Sequence, residues 1–380
     1  MTRAWDIFCA VLDNFGDVGV CWRLARQLSS ELRQPVRLWV DNLQSFHRIC
    51  PGVDPVLAAQ DICGVNVRHW SKTFPDVVPA DIVIEGFGAP LPAGYVDAMA
   101  VRSPHPVWIN LEYLSAESWV DACHGLPSPH PRLALVKYFF FPGFTPATGG
   151  LLMESGLPRT RDAFQHDPDA VARFWRSLRV APVAQAAVRV SLFCYENAAL
   201  PGLIAAWSAG SVPVSCLVPA GDALARLSSI MGCSLEPGSP RARGQLTIHA
   251  IPFLDVDLYD RLLWACDINF VRGEDSFVRA QLAARPLVWQ AYPQTADAHM
   301  AKVAAFVDRY ARGLDDATAS AVRSFALAWN RQSGEAGRCW EAFMARRSEA
   351  TAHARVWAGK LSAGGSLAIK LAEFCQDRLE

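Results

Sequence analysis

Short apolar runs alternate with amphipathic stretches along most of this 380-residue chain. The run Ile7 to Leu12 breaks at Asp13-Asn14-Phe15-Gly16-Asp17-Val18-Gly19, and Val20 to Leu32 then repeats Leu24 and Leu28 at helical spacing. That order predicts strand, tight loop, helix. Val36 to Val40 and Val65 to Trp70 read as further strands, separated by polar turns at Pro51-Gly52 and Pro55. Asp81 to Glu85 is a continuous apolar strand that ends at Gly86-Phe87-Gly88, and Pro106 to Leu111 is another. Lys137 to Phe144 is dense in aromatics and reads first as a packed core strand. Pro146 to Pro168, rich in Gly, Pro, Thr and charge, reads as loop, and a helix from Asp169 to Leu178 leads to a breaker near Pro182.

The second half restarts the same alternation. Val188 to Phe193, Val214 to Val218, Leu246 to Ile251, Asp267 to Val271 and Leu287 to Trp289 read as strands, with helices to Ser208, over Asp255 to Ala265 and over Phe277 to Ala284. Beyond Thr295 the pattern is helical, and a last helix from Leu367 to Leu379 can cross back onto the first half. Buried strands alternating with helices predict an α/β fold of two Rossmann-like domains, over residues 1–183 and 184–364, with the helix at about 365–380 returning to the first. Ligands in such sheets gather at the carboxyl ends of the strands, an edge that would carry Asp13, Glu85 and Glu112.

Composition narrows the functional classes. A chain of this length exceeds one ordinary core, and 51% hydrophobic with 19% charged residues describes a well-buried globular protein. A net charge of −1 gives no bulk attraction for nucleic acid or an anionic membrane. No apolar run reaches membrane-spanning length. Eleven cysteines without a Cys-x-x-Cys pair, and no secretory signal at the start, point to reduced thiols in the cytoplasm. The nine histidines show no ligand spacing for zinc, so no metal is expected.

Two loops carry candidate chemistry. In the first, Gly16 and Gly19 permit close backbone approach and the opening amides of the helix face outward. The third glycine of the dinucleotide fingerprint is missing, and acids stand where phosphate would lie, which disfavours NAD. Asp13 and Asp17 there suit a cationic or hydroxylic reactant, although an Asp after a strand also serves as a plain helix cap. In the second loop, Arg272-Gly273-Glu274-Asp275-Ser276, either Asp275 or Ser276 can cap the next helix. Its amides and Arg272 suit a diphosphate, and Glu274 suits sugar hydroxyls. Phe193, Tyr195 and Phe253 end neighbouring strands and can wall a base, with a core role open for each; Gln290 and Tyr292 follow the last strand on the same edge. Two such halves facing one another describe the two-domain architecture of many nucleotide-sugar glycosyltransferases.

The stretch Asp-Asn-Phe-Gly-Asp-Val-Gly-Val-Cys-Trp-Arg-Leu-Ala-Arg-Gln-Leu at 13–28, with Arg-Gly-Glu-Asp-Ser-Phe-Val-Arg-Ala-Gln at 272–281, resembles the bacterial elongation factor P arginine rhamnosyltransferase family, EarP. The resemblance extends over essentially the whole chain. It implies an inverting glycosyltransferase of the GT-B architecture that moves rhamnose from dTDP-β-L-rhamnose to an arginine of elongation factor P. No metal or other cofactor is implied, and activation of the factor for polyproline translation follows. By the same resemblance Asp17 matches the base and Asp13 its companion. Phe193, Tyr195 and Phe253 match the thymidine wall, and Arg272, Glu274, Asp275 and Ser276 the donor contacts.

The chemistry agrees with the acids. A guanidinium stays protonated and its lone pairs are delocalised, so two carboxylates are needed to grip and polarise it. Asp17 is read as base and Asp13 as orienter, with the reverse assignment open. Asn14, Phe15, Gly16 and Gly273 are placed among the substrate contacts. Phe15 packs on the sugar or acts as a structural wedge. The chain is expected to work as a monomer, with elongation factor P as its protein partner. Rival readings are a GT-B enzyme with another nucleotide sugar and a saccharide or lipid acceptor, and a non-catalytic nucleotide-binding partner protein.

Overall fold

A computed structural model describes residues 2–12, 15–181 and 186–379. The chain divides into two compact units, one of Met1–Ser155 with Leu361–Glu380 and the other of Gly156–Lys360.

The first unit is built on eight strands: β1 (Trp5–Cys9), β2 (Val36–Val40), β3 (Ala59–Ile62), β4 (Val65–His69), β5 (Ile82–Gly86), β6 (Val107–Leu111), β7 (Pro127–Pro129) and β8 (Val136–Phe140). Their order is β3-β4-β2-β1-β5-β6-β8-β7, parallel except where β3 and β7 pair antiparallel at the two edges. Ile7, Phe8, Val83, Ile84 and Ile109 are fully buried, as central strands covered on both faces require. Between β1 and β5 the strand order reverses, so the loops after these two strands flank the crevice of the sheet. The helix Gly16–Ser30 follows β1 directly.

The first strand starts and stops earlier than its apolar run suggests. Leu12 is 72% exposed, whereas Asp6 is fully buried inside β1. Arg37 on β2 donates to both oxygens of Asp6, and Tyr95, Trp39 Nε1 (3.2 Å) and the Ala80 amide (3.0 Å) complete its shell. A paired, saturated carboxylate is the only kind a strand interior tolerates. The aromatic run at 137–144 is less central than its composition implies: of β8 only Phe140 is fully buried, and β7 caps it at the sheet margin. The helix Leu367–Gln376 packs in this unit. Gln27 Nε2 donates to the Met153 carbonyl (2.7 Å) and the Ser366 hydroxyl (3.0 Å), and Phe374 packs edge-on against Phe140.

The second unit holds β9 (Val188–Leu192), β10 (Val214–Pro219), β11 (Arg241–Arg243), β12 (Leu246–Ile251), β13 (Ile268–Arg272) and β14 (Leu287–Gln290). Their order is β11-β12-β10-β9-β13-β14, parallel except at β11. Here the order reverses between β9 and β13. The helix Val256–Ala265 begins at Asp255, whose carboxylate accepts from the amides of Asp257 (3.0 Å) and Leu258 (2.8 Å).

The division between units corrects the expected boundary at 183. Residues 182–185 lie outside the described set, but the chain before them already belongs to the second unit. Phe174, Trp175, Leu178 and Val180 share a core with Leu217, Ile251 and Leu262. The stretch expected as loop contains the helix Leu157–Gln165. Pro158 stands in its first turn, where no backbone donor is needed, so proline starts this helix rather than preventing it. Arg161 Nη1 donates to the Leu282 carbonyl (2.8 Å) and Gln165 Nε2 to those of Trp264 (3.1 Å) and Ala283 (3.0 Å), anchoring this helix to the second unit.

Candidate active site

In the first unit the loop after β1 delivers Asp17 into the first turn of the Gly16–Ser30 helix, where the helix dipole favours a negative charge. Asp17 is fully buried. Its Oδ2 accepts from the Leu12 amide (2.9 Å) and its Oδ1 from the Tyr113 hydroxyl (3.1 Å), so the carboxylate is held at both oxygens. Tyr113 is fixed in turn by Phe87, whose ring stacks on it at 4.4 Å and 11°. Phe87 follows β5 and Tyr113 follows β6, so three neighbouring strand ends converge on one carboxylate. Gly86 is required there, since a Cβ would stand 2.8 Å from the Phe8 carbonyl oxygen. Asp13 and Asn14 lie outside the described residues. Phe15 precedes the helix with its ring under the Arg48 guanidinium at 5.4 Å, and half-buried Gly16 opens the helix.

The two glutamates expected on this edge are engaged elsewhere. Glu85 accepts from Lys137 Nζ at 3.1 Å on both oxygens and from Trp108 Nε1 (3.1 Å); burial raises its pKa and Lys137 opposes the rise. Glu112 accepts from Asn110 Nδ2 (2.6 Å), and burial again pushes its carboxyl up. Both belong to a local polar network with Lys137, Trp108 and Asn110.

In the second unit the loop after β13 gathers the other predicted residues. The buried Arg272 guanidinium lies over the rings of Phe193 (4.6 Å) and Tyr195 (4.4 Å), which follow β9. Gly273 takes φ +65°, and its carbonyl accepts from Trp289 Nε1 (3.0 Å). Glu274 pairs with Lys302 (2.9 Å) on the helix His299–Tyr310. The helix begins at Asp275, two residues earlier than its apolar pattern suggests, and no side chain caps it. Asp275 is its first residue and the Ser276 hydroxyl turns back to the Arg272 carbonyl, so neither serves as the expected cap. Asp275 places a carboxylate in this first turn, so an anion seated at the helix start needs the Arg272 charge beside it.

Buried Gln290 spans the neighbouring loop, accepting from the Tyr195 amide (3.0 Å) and donating to the Glu196 carbonyl (3.4 Å). Its amide holds Tyr195 in place under Arg272. Tyr292 is 55% exposed and meets Tyr195 edge-on at 5.4 Å. Phe253 is half-buried beyond β12. Tyr259, packed edge-on against Phe193 at 5.7 Å, backs this wall, and burial pushes its phenol up. Below the loop, Arg279 grips Asp260 with Nε (3.0 Å) and Nη2 (2.6 Å), pinning the helix that follows Arg272 to Val256–Ala265.

Tyr113, Phe87, Lys302, Tyr259 and the Asp260–Arg279 pair were not singled out for these roles from the sequence. Only Glu112-Tyr113 gave a signal, as an aromatic step after a strand. Among the described residues no three of His, Cys, Asp and Glu gather as a metal ligand set, and no helix is long and apolar enough to cross a membrane. All eleven cysteines are free thiols; burial pushes Cys194, behind the Arg272 loop, up to about 12.

Residues 5–376 match the family described as elongation factor P (EF-P) rhamnosyltransferase EarP. The protein-arginine rhamnosyltransferase of Pseudomonas putida is 47% identical over 380 residues, covering 100% of both chains, and that of Pseudomonas aeruginosa is 46% identical over 377, covering 99% of this chain and 100% of its own. A solved structure described as a structural basis for EarP-mediated arginine glycosylation of translation elongation factor EF-P is 35% identical, covers 99% of each chain and superposes with a TM-score of 0.71. MurG of Acinetobacter baumannii, 14% identical with a TM-score of 0.54 over 99% of this chain and 100% of its own, shares the GT-B fold alone. A strand-reversal loop presenting a doubly held aspartate, a second presenting a stacked arginine at a helix start, and matches over the full length place this chain in the elongation factor P rhamnosyltransferase family.

Proposed function

We propose that this chain transfers L-rhamnose from dTDP-β-L-rhamnose to the guanidinium of an arginine in elongation factor P, with inversion at the sugar carbon, and so activates the factor for translation of polyproline stretches. The observation that carries the reading is Asp17, a carboxylate at a helix start whose oxygens are both held before any substrate arrives. That is preorganisation for a cation. The family membership and the names of the relatives support the acceptor and the sugar.

In the reaction a guanidinium nitrogen attacks the anomeric carbon, and the bond from that carbon to the diphosphate oxygen breaks. Its electron pair leaves with dTDP. The proton released from the nitrogen passes to a carboxylate, which we assign to Asp17, with Asp13 as companion; the second reading reverses the two. Asp17 is fully buried, so the guanidinium meets Oδ1 beside the Tyr113 hydroxyl, which stays bonded through the transfer. Negative charge near the sugar also favours its oxocarbenium character. Arg272 and the backbone amides at Asp275 and Ser276 would carry the charge of the leaving diphosphate, without a metal ion. Phe193, Tyr195 and Phe253 would wall the thymine, and Tyr292 the outer rim.

The test is Asp17→Asn. Transfer should fall below detection while dTDP affinity by calorimetry is retained, and wild-type transfer should persist in EDTA. Turnover within about threefold of wild type would remove Asp17 from the chemistry. Loss of activity in EDTA, restored by a divalent ion, would reject the metal-free reading.

A further inference from the structure

The second unit has a cavity at the amino ends of the same three strands whose carboxyl ends carry Phe193, Arg272 and Gln290. It measures about 520 Å³, within the range of small-molecule sites. Arg189 near the start of β9, Asp267 just before β13 and Arg285 just before β14 line its floor, and Arg176 lies on the helix Pro168–Ser177 at its rim. Trp175 and Trp264 form apolar walls.

The charges there do not close among themselves. Among the described lining residues Asp267 is the one acid, and its Oδ2 accepts from the Arg189 amide (2.9 Å) and lies 3.4 Å from Arg189 Nε. Arg285 is half-buried, and its Nε is buried with no acceptor; Trp175 Nε1 is likewise a buried donor without a partner. A guanidinium cannot discharge itself by losing a proton at neutral pH. Burial disfavours charge on Arg285, Asp267 opposes that effect, and the neighbouring Arg355 and Arg189 add to it, so the guanidinium is held below its usual range. Three cations share one acid, which leaves an electrostatic deficit over an apolar wall.

We infer that this cavity is a second ligand site, separate from the Arg272 loop, for a small anion with an apolar or aromatic body, a phosphate or carboxylate head meeting Arg189, Arg285 and Arg176 while the body lies on Trp175 and Trp264. An arginine cluster suits such planar oxyanions through paired N–H donors. The two sites lie at opposite ends of the same strands, so occupancy of one does not require displacement from the other.

The experiment is calorimetric titration of the full chain with 1-naphthyl phosphate, with inorganic phosphate as the headgroup alone. The full chain should bind naphthyl phosphate saturably, at least about tenfold more tightly than inorganic phosphate. Arg285→Gln and Arg189→Gln should each weaken that binding by about tenfold or more, and Arg272→Ala should leave it within about twofold. If Arg285→Gln fails to fold by circular dichroism, Arg189→Gln decides by the same criterion. The inference is overturned by absence of binding at millimolar probe, by equal affinity for the two probes, or by binding that Arg272→Ala abolishes while the other variants keep it.

Discussion

Tyr113→Phe isolates one bond in the candidate active site. The substitution removes the hydroxyl that donates to Asp17 Oδ1 at 3.1 Å, and it leaves the ring stacked on Phe87 at 4.4 Å. Packing is therefore conserved while orientation of the carboxylate is not. A hydrogen bond to a charged group is worth about 1.5–3 kcal/mol. If the full amount is realised in the transition state, kcat falls by about 10- to 100-fold, since each 1.36 kcal/mol is tenfold in rate. Neither substrate's binding depends on that hydroxyl in the proposed mechanism, so both KM values should stay within about threefold. Initial rates across both substrate concentrations give the split, and thermal unfolding of the same variant reports any structural cost. A lowered unfolding midpoint with wild-type kcat would show that Tyr113 only braces the fold, and the claim that Asp17 is held for catalysis would fail.

Other expectations follow from single contacts. Arg272→Ala should weaken dTDP by about 10- to 100-fold through loss of a charged donor, read by calorimetry, and unchanged affinity would remove Arg272 from the diphosphate site. Asp6→Ala leaves Arg37 and Tyr95 without their shared acceptor inside the sheet and should cost about 3–5 kcal/mol in urea unfolding; a loss under about 1 kcal/mol would contradict the account of β1. His353 is buried, and desolvation holds its imidazole below the usual range, so the folded chain prefers it neutral. Its contribution is present above the unfolded value of about 6.5 and is lost as pH falls from there through the lowered folded value. The drop in unfolding temperature between about pH 7.5 and 5.5 should accordingly be smaller in His353→Gln than in wild type, and an equal drop would refute that linkage.

Both loops that carry the candidate chemistry were legible because each follows an apolar run and is punctuated by glycine. Asp17 after β1 and Arg272 at the end of β13 stand at the strand reversals that the alternation of elements implied. What escaped depends on distance along the chain. Tyr113 meets Asp17 across 96 positions, and nothing local in an aromatic step distinguishes a hydroxyl aimed at a carboxylate from one aimed at water. Asp260 and Arg279 look like solvated charges in sequence, yet they are almost wholly buried against each other. Asp6 was invisible for the same reason: a charge inside a strand reads as its end until Arg37 is placed on the neighbouring strand. The helix Leu157–Gln165 was hidden by the proline in its first turn, and with it the true start of the second unit. The antiparallel edge strands β3, β7 and β11 are short and lack an apolar run, so they take their form from their partners.

The central claim is transfer of a deoxyhexose to an arginine of elongation factor P, and intact-mass measurement tests it most directly. Purified elongation factor P is incubated with this protein and dTDP-β-L-rhamnose, beside a variant of the factor in which the acceptor arginine is lysine. The account predicts a gain of one deoxyhexose on the wild-type factor alone. No gain on the wild-type factor, with dTDP still bound by the enzyme, would contradict the acceptor assignment, and an equal gain on the lysine variant would contradict the arginine.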